Sequence, residues 1–273
     1  ISNSYENLGS GIENIILKKI SKKPSKQIRD MVNNFLEFFV IEPVSLDPFG
    51  IVKKLEHLQK LSEKRFKYFV KRVTPSLDTE SQADLIGGLS GAITLHQIAK
   101  IVRHFVETVR KTKNLQLALI LQMQLPMIER ISKALLYATE ALSNGWPIGD
   151  SAGPLVAARM IGESRVKAFD EETLYVRKRV RGREVVVIKA KGPGGRLGNL
   201  GEIVEKFARS GKVAKIITID AALKLEGEKT GSIAEGVGVA IGGIGVDRNY
   251  IVNVSTQKNL PLDSVVIKMA QEE

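Results

Sequence analysis

The 273-residue chain carries 41 Lys and Arg against 30 Asp and Glu, a net charge of +11, and has no cysteine. Disulfides, thiolate metal sites and a cysteine nucleophile are therefore excluded. Before Trp146 there are 21 cations against 14 acids, and from Trp146 onward 20 against 16. The lysines are interspersed with glutamates, and few aromatics lie among them to stack bases. The balance suits an anionic membrane surface better than nucleic acid, which is not an expected partner. No uninterrupted run reaches the roughly 20 apolar residues of a bilayer span.

The first half reads as helices. Ile12, Ile15, Ile16 and Ile20 have the spacing of a short amphipathic helix. Ser25 caps a second helix to about Ile41, with Ile28, Met31, Val32, Phe35, Leu36 and Phe39 on one face. A connector with two prolines, Glu42 to Gly50, precedes a third helix over about 50–73, which Pro75 stops. Residues 80–112 read as one long helix or two in tandem. Gly87, Gly88 and Gly91 near its start permit a close helix crossing or a kink. A Leu-rich helix over 114–143 contains Pro126, a kink position. All three histidines, His57, His96 and His104, fall in this half; none has the four-residue spacing of paired metal ligands.

From Trp146 the pattern changes, and 18 of the 24 glycines lie from Gly145 onward. Strand-like runs occur at Leu174–Val180, Val185–Ala190, Lys215–Ile219, Val237–Ile241, Tyr250–Val254 and Ser264–Met269. Helices are expected at 154–161 and about 199–210. The second half is thus an α/β domain with a mostly parallel or mixed sheet. The expected organisation is α+β: a helical domain over 1–144 and an α/β domain over 145–273.

Three stretches carry candidate chemistry. In Gly149-Asp150-Ser-Ala-Gly153-Pro154, the proline suits a first helical position, so Asp150 stands at or just before a helix N-terminus. It is either a cap or a functional acid. In Lys215-Ile-Ile-Thr-Ile-Asp220, a buried-type strand ends in an aspartate, where open α/β sheets place ligands. The polar loop after it supplies Glu226, Glu228, Lys229 and Thr230. The third stretch, Lys191-Gly192-Pro-Gly194-Gly195 through Asn199, follows a strand and opens a helix. It is a phosphate cradle or a substrate groove, although it matches neither a Walker loop nor a dinucleotide fingerprint. Two carboxylates from separate junctions can divide acid and base roles, or hold a divalent metal through oxygen. The α/β half contains no histidine, so no Ser-His-Asp triad is available there.

Segments along nearly the whole chain resemble an archaeal family of membrane-associated proteins of unknown function. They include Pro147-Ile-Gly-Asp-Ser-Ala-Gly-Pro-Leu-Val, Lys189-Ala-Lys-Gly-Pro-Gly-Gly and Asp220-Ala-Ala-Leu-Lys-Leu-Glu-Gly-Glu-Lys-Thr-Gly. That resemblance implies an N-terminal membrane segment ahead of Ile1. In the α/β half, Gly149-Asp-Ser-Ala-Gly-Pro-Leu-Val and Ile217-Thr-Ile-Asp-Ala-Ala-Leu are similar to motifs of the spore germination endopeptidases. Those share a fold with the hydrogenase maturation endopeptidases. The resemblance implies that Asp150 and Asp220 are the catalytic or metal-contacting pair. The histidine ligand of the hydrogenase-type enzymes has no counterpart in this half.

The expected activity is therefore a peptidase-like hydrolase. In it Asp150 and Asp220 activate water, alone or with a divalent metal as the one cofactor. Lys191, Gly192, Gly194, Gly195, Asn199, Glu226, Glu228, Lys229 and Thr230 line the groove for a peptide or protein substrate. The alternatives are a membrane-associated scaffold or assembly protein without chemistry, and phosphate or nucleotide binding at Gly192–Gly195. Self-association and a place at the inner, cytoplasmic face of the cell membrane complete the expectation.

Overall fold

Residues 11, 13–37, 50–192, 197–243 and 245–272 are described by a computed structural model. Every regular element described before Gly149 is a helix: α1 over 13–20, α2 (Lys26–Leu36), α3 (Ile51–Val73), α4 (Thr79–Thr112) and α5 (Leu115–Ser143). The chain forms two units. The first takes α1, α2, α3 from Ser62 onward, α4 and α5. The second takes α3 up to Leu61 and the elements from Gly149 to Ala270. Ile12 and the segment 38–49, with the expected end of the second helix, lie outside the described residues.

In the first unit the caps fix where helices start. Ser25 Oγ accepts from Ile28 N, Asp78 Oδ1 accepts from Glu80 N and Ser81 N, and Asn114 Oδ1 accepts from Leu117 N. Each satisfies donors that have no partner within the helix. Lys113, in the left-handed region at φ 54°, closes α4, so α4 and α5 form a hairpin with a two-residue link. α4 is a single helix, and α5 continues through Pro126. The core gathers Ile16, Leu17, Val32, Leu36, Phe69 and Val70 with the α4 face of Leu85, Leu89, Ala92 and Leu95. Phe35 stacks on Phe69 with ring centroids 4.0 Å apart. By length and composition α4 could cross a membrane (mean hydropathy 1.3), although no uninterrupted apolar run marks it in the sequence.

The glycines of α4 make a close crossing with α5. A methyl group on Gly88 would overlap Ser143 Oγ and lie 3.1 Å from Ser143 Cβ; one on Gly91 would overlap Thr139 Oγ1 and lie 3.2 Å from Thr139 Cβ. Both hydroxyls are turned back onto their own helix, Thr139 to Leu135 O and Ser143 to Thr139 O, each at 2.7 Å. His96 bonds Glu37 Oε1 through Nε2 at 2.7 Å, and Lys100 pairs with the same carboxylate.

The second unit has two three-stranded sheets. β1 (Lys167–Ala168), β2 (Thr173–Val180) and β3 (Arg183–Ala190) form an antiparallel meander. β4 (Ile216–Leu223), β5 (Ile233–Val237) and β6 (Leu262–Met269) form a mixed sheet in the order β4-β6-β5. There β6 runs parallel to β4 and antiparallel to β5. So the sheet structure is divided, and one part is wholly antiparallel. α6 (Ala152–Ile161) packs Ile161 with Val176 and Val187 of the meander. α7 (Leu200–Ser210) and α8 (Val246–Lys258) enclose Ala208, Ile216, Ile251 and Val254.

Two expected strands are corrected, and a third is longer than expected: β4 stays on the β6 ladder to Leu223, so Asp220 lies inside the strand and not at its end. Tyr250–Val254 lies inside α8, where Val246, Ile251, Val254 and Ser255 form one buried helical face. Packing on α7 overrides the β-branched preference. Left-handed Gly245 and Asn259 bound the helix. Of Val237–Ile241, only Val237 is in a strand, because Gly238 at φ 120° turns the chain off the ladder. α6 begins at Ala152, two residues earlier than expected, with Pro154 still in its first turn.

Gly88→Ala or Gly91→Ala should each destabilise the chain by about 1–3 kcal/mol through overpacking, read by urea unfolding followed by circular dichroism. Ser143→Ala combined with Gly88→Ala should recover part of the loss.

Candidate active site

Along β4, alternate side chains share a face, so Thr218 and Asp220 point the same way. The run after β5 crosses this face. Ala240 N donates to Thr218 Oγ1 at 3.0 Å, and Gly242 N donates to the Asp220 carboxylate. Asp220 Oδ1 also accepts from Ala221 N at 2.8 Å. Arg248 Nε holds the back of the run by donating to Ile241 O at 2.7 Å. Glycines at 238, 242 and 243 permit this path, with positive φ at Gly238 and Gly243.

Asp150 comes to β4 on another element. It sits exposed in a 3-10 turn, Gly149–Ser151, that stands against β4. Ser151 occupies the cap position of α6. Among the described residues no hydrogen bond engages the Asp150 side chain, so it is not consumed as a cap. What seats the turn is Gly153. A methyl group there would overlap Ile219 O and lie 3.2 Å from Asp220 Cα.

The electrostatics single out Asp220. Burial pushes its carboxyl above the ordinary 3.8, and the charge of Asp150 pushes the same way. The backbone donors and the Arg248 guanidinium oppose the shift without cancelling it.

The remaining expected residues divide. Gly194 and Gly195 lie outside the described residues. Lys191 N donates to Glu172 O at 2.7 Å, and Gly192 has φ 73°. The Asn199 side chain donates to Asp170 Oδ2 at 2.8 Å, and its N–H to Thr173 Oγ1 at 2.7 Å. Asn199 thus ties the loop to the turn before β2. Leu197 lies against the glycine run, 3.2 Å from where a Gly243 side chain would start. The Glu226–Thr230 loop is tied to the end of β6. Glu228 pairs with Lys268 and accepts from Leu225 N, which holds its carboxyl below the ordinary range; Gly231 N bonds Lys268 O. Glu226, Lys229 and Thr230 are exposed there.

Four contributors went unread in the sequence. Thr218 and Arg248 anchor the glycine run. Asp170 accepts from Glu172 N and Thr173 N, which its three-residue spacing from Thr173 could have signalled. Asp247, on α8, accepts from Gly201 N at 2.6 Å and so satisfies a donor at the start of α7; burial raises its carboxyl, and Glu56 adds to this. Three or more His, Asp or Glu side chains that could share a metal do not converge anywhere among the described residues. A divalent ion at the aspartate pair would rest on two carboxylates and water, a donor set that suits Mg²⁺.

The chain is thus a helical N-terminal region followed by a mixed α/β region. Two family profiles match it: the N-terminal domain of DUF1512, a protein of unknown function, over residues 4–145, and the DUF1512 C-terminal domain of unknown function over 148–273. The chain belongs to the DUF1512 family. No curated protein and no solved structure matches it.

The raised Asp220 carboxyl fixes the sign of a pH effect. The folded chain keeps this proton where the unfolded chain has lost it, so stability falls as pH rises from 3.8 through the raised value. Asp220→Asn keeps an acceptor for Gly242 and Ala221 but removes the charge. It should melt at a higher temperature than the parent at about pH 7, and the difference should close below the unfolded carboxylate value.

Proposed function

We propose that the C-terminal α/β region is a peptidase-like hydrolase of the germination and maturation endopeptidase type, with Asp150 and Asp220 as its working pair. One observation carries this reading: a half-buried carboxyl on β4, raised by burial and by a second aspartate from a different element. Such a pair splits into complementary roles. Asp220, holding its proton to higher pH, is the acid that protonates the leaving amine. Asp150, open to solvent, is the base that takes a proton from the attacking water. The glycine run 238–243 crosses the face beside Asp220, with Leu197 packed on it, and is the surface on which an extended peptide would lie. A divalent ion held by both carboxylates is the variant in which the same water is activated by the metal.

A second reading, an assembly protein without chemistry, draws support from the apolar helical hairpin of the first unit. The two readings part on one experiment. The chain is incubated with a mixed peptide library, and products are followed by mass spectrometry. Cleavage that falls at least about 100-fold in both Asp150→Asn and Asp220→Asn supports the hydrolase. The double variant should be no worse than the singles, because the pair acts as a unit. Activity removed by EDTA and restored by Mg²⁺ assigns the metal variant. No cleavage by the parent chain, or cleavage unchanged in both variants, overturns the reading and favours assembly.

A further inference from the structure

The outer half of the α4–α5 hairpin leaves a row of large apolar side chains uncovered. From Leu115 to Ile128, α5 runs fourteen residues without a charge. Its buried residues, Ser132, Thr139 and Ser143, all lie beyond that stretch. Leu115, Leu119, Ile120, Met123 and Met127 on α5, with Ile101 and Phe105 on α4, are 40 to 77 % exposed. Together they offer on the order of 700 Å² of apolar surface. That exceeds what most monomers leave open and is close to the ~800 Å² per partner of a stable interface.

We propose that this face is the self-association surface of the chain, and that its occupant is the α5 of a second copy packed antiparallel about a two-fold axis. Three features select a second copy. Leu115, Leu119, Met123 and Met127 recur every four residues, so a two-fold near Leu121 sets 115 against 127 and 119 against 123 of the other copy. A surface that complements itself in this way is what an isologous dimer requires. The four-residue ridge also suits the commonest class of helix packing. The charge is arranged to match: Lys100, Arg103, Arg110, Lys111 and Lys113 against the single acid Glu107 all lie on α4 and the link. Pairing α5 with α5 joins two uncharged faces and leaves the basic α4 helices on the outside. A charge-free stretch of fourteen residues, broken by Gln116, Gln122 and Gln124, is short of a bilayer span and has the length of a buried helix.

The test is the mass of the chain in solution by light scattering at micromolar concentration. The parent should be a dimer and Leu119→Glu/Met123→Glu a monomer with unchanged helical circular dichroism. Because the chain has no cysteine, Leu119→Cys/Met123→Cys gives an independent readout that leaves the face apolar. It should form a disulfide-linked dimer on mild oxidation, whereas Arg181→Cys, in the turn of the β2–β3 hairpin, should not. Asp150→Asn should remain dimeric, since this surface owes nothing to the aspartate pair. A monomeric parent overturns the proposal; if that monomer floats with phosphatidylserine vesicles and the Glu variant does not, the face meets lipid instead. A dimer that survives the Glu substitutions, or cysteines at 119 and 123 that stay unlinked, also overturns it.

Discussion

The second unit depends on one contact in which a side chain is missing. Gly153 brings the first turn of α6 onto the backbone of β4, where any Cβ would meet the carbonyl of Ile219. That seat holds the turn carrying Asp150 beside the strand carrying Asp220. The far end of α6, at Ile161, packs on Val176 and Val187 of the meander. One ten-residue helix therefore ties the two sheets together and sets the aspartate pair. Were position 153 a larger residue, the helix would have to lift, and the sheet contacts and the pair would be disturbed together.

Much of this was legible in the letters. Helical periodicity, Ser25 and the three glycines of α4 specified the first unit, because each is a local signal with a local cause. The place of Asp150 was legible because proline and glycine mark the start of α6; Asp220 reads in the letters as the end of a buried-type run, whereas the ladder with β6 carries β4 on to Leu223. α8 was misread because its β-branched residues fit either a strand or a helix face, and only the packing of α7 decides between them. The partners of Asp220 were not legible for a different reason. Gly242 meets it, and Thr218 and Arg248 anchor the run that brings Gly242 there, through loop geometry that no periodicity encodes.

Two aspartates of the second unit have carboxyls raised by burial, and the comparison between them is instructive. Asp247 bonds a backbone N–H at the start of α7, and its burial is that of a joint between two helices. Asp220 also accepts backbone bonds, but a second aspartate from another element acts on it from solvent. A perturbed acid by itself therefore marks only burial. What sets Asp220 apart from Asp247 is the charge of a second aspartate, Asp150, acting on it from another element.

The order of strands in the mixed sheet has a consequence for how the chain comes into being. β6 is the middle strand of β4-β6-β5, yet it is the last of the three to be synthesised. A growing chain that has emitted Asp220 and the glycine run still has no ladder on which to hold them. The register of Asp220 against Val266 exists only once Val266, 46 residues beyond Asp220, has emerged. The face that carries Asp220 is thus built only after β6 has emerged, and a chain interrupted before β6 carries Asp220 and the glycine run without that ladder.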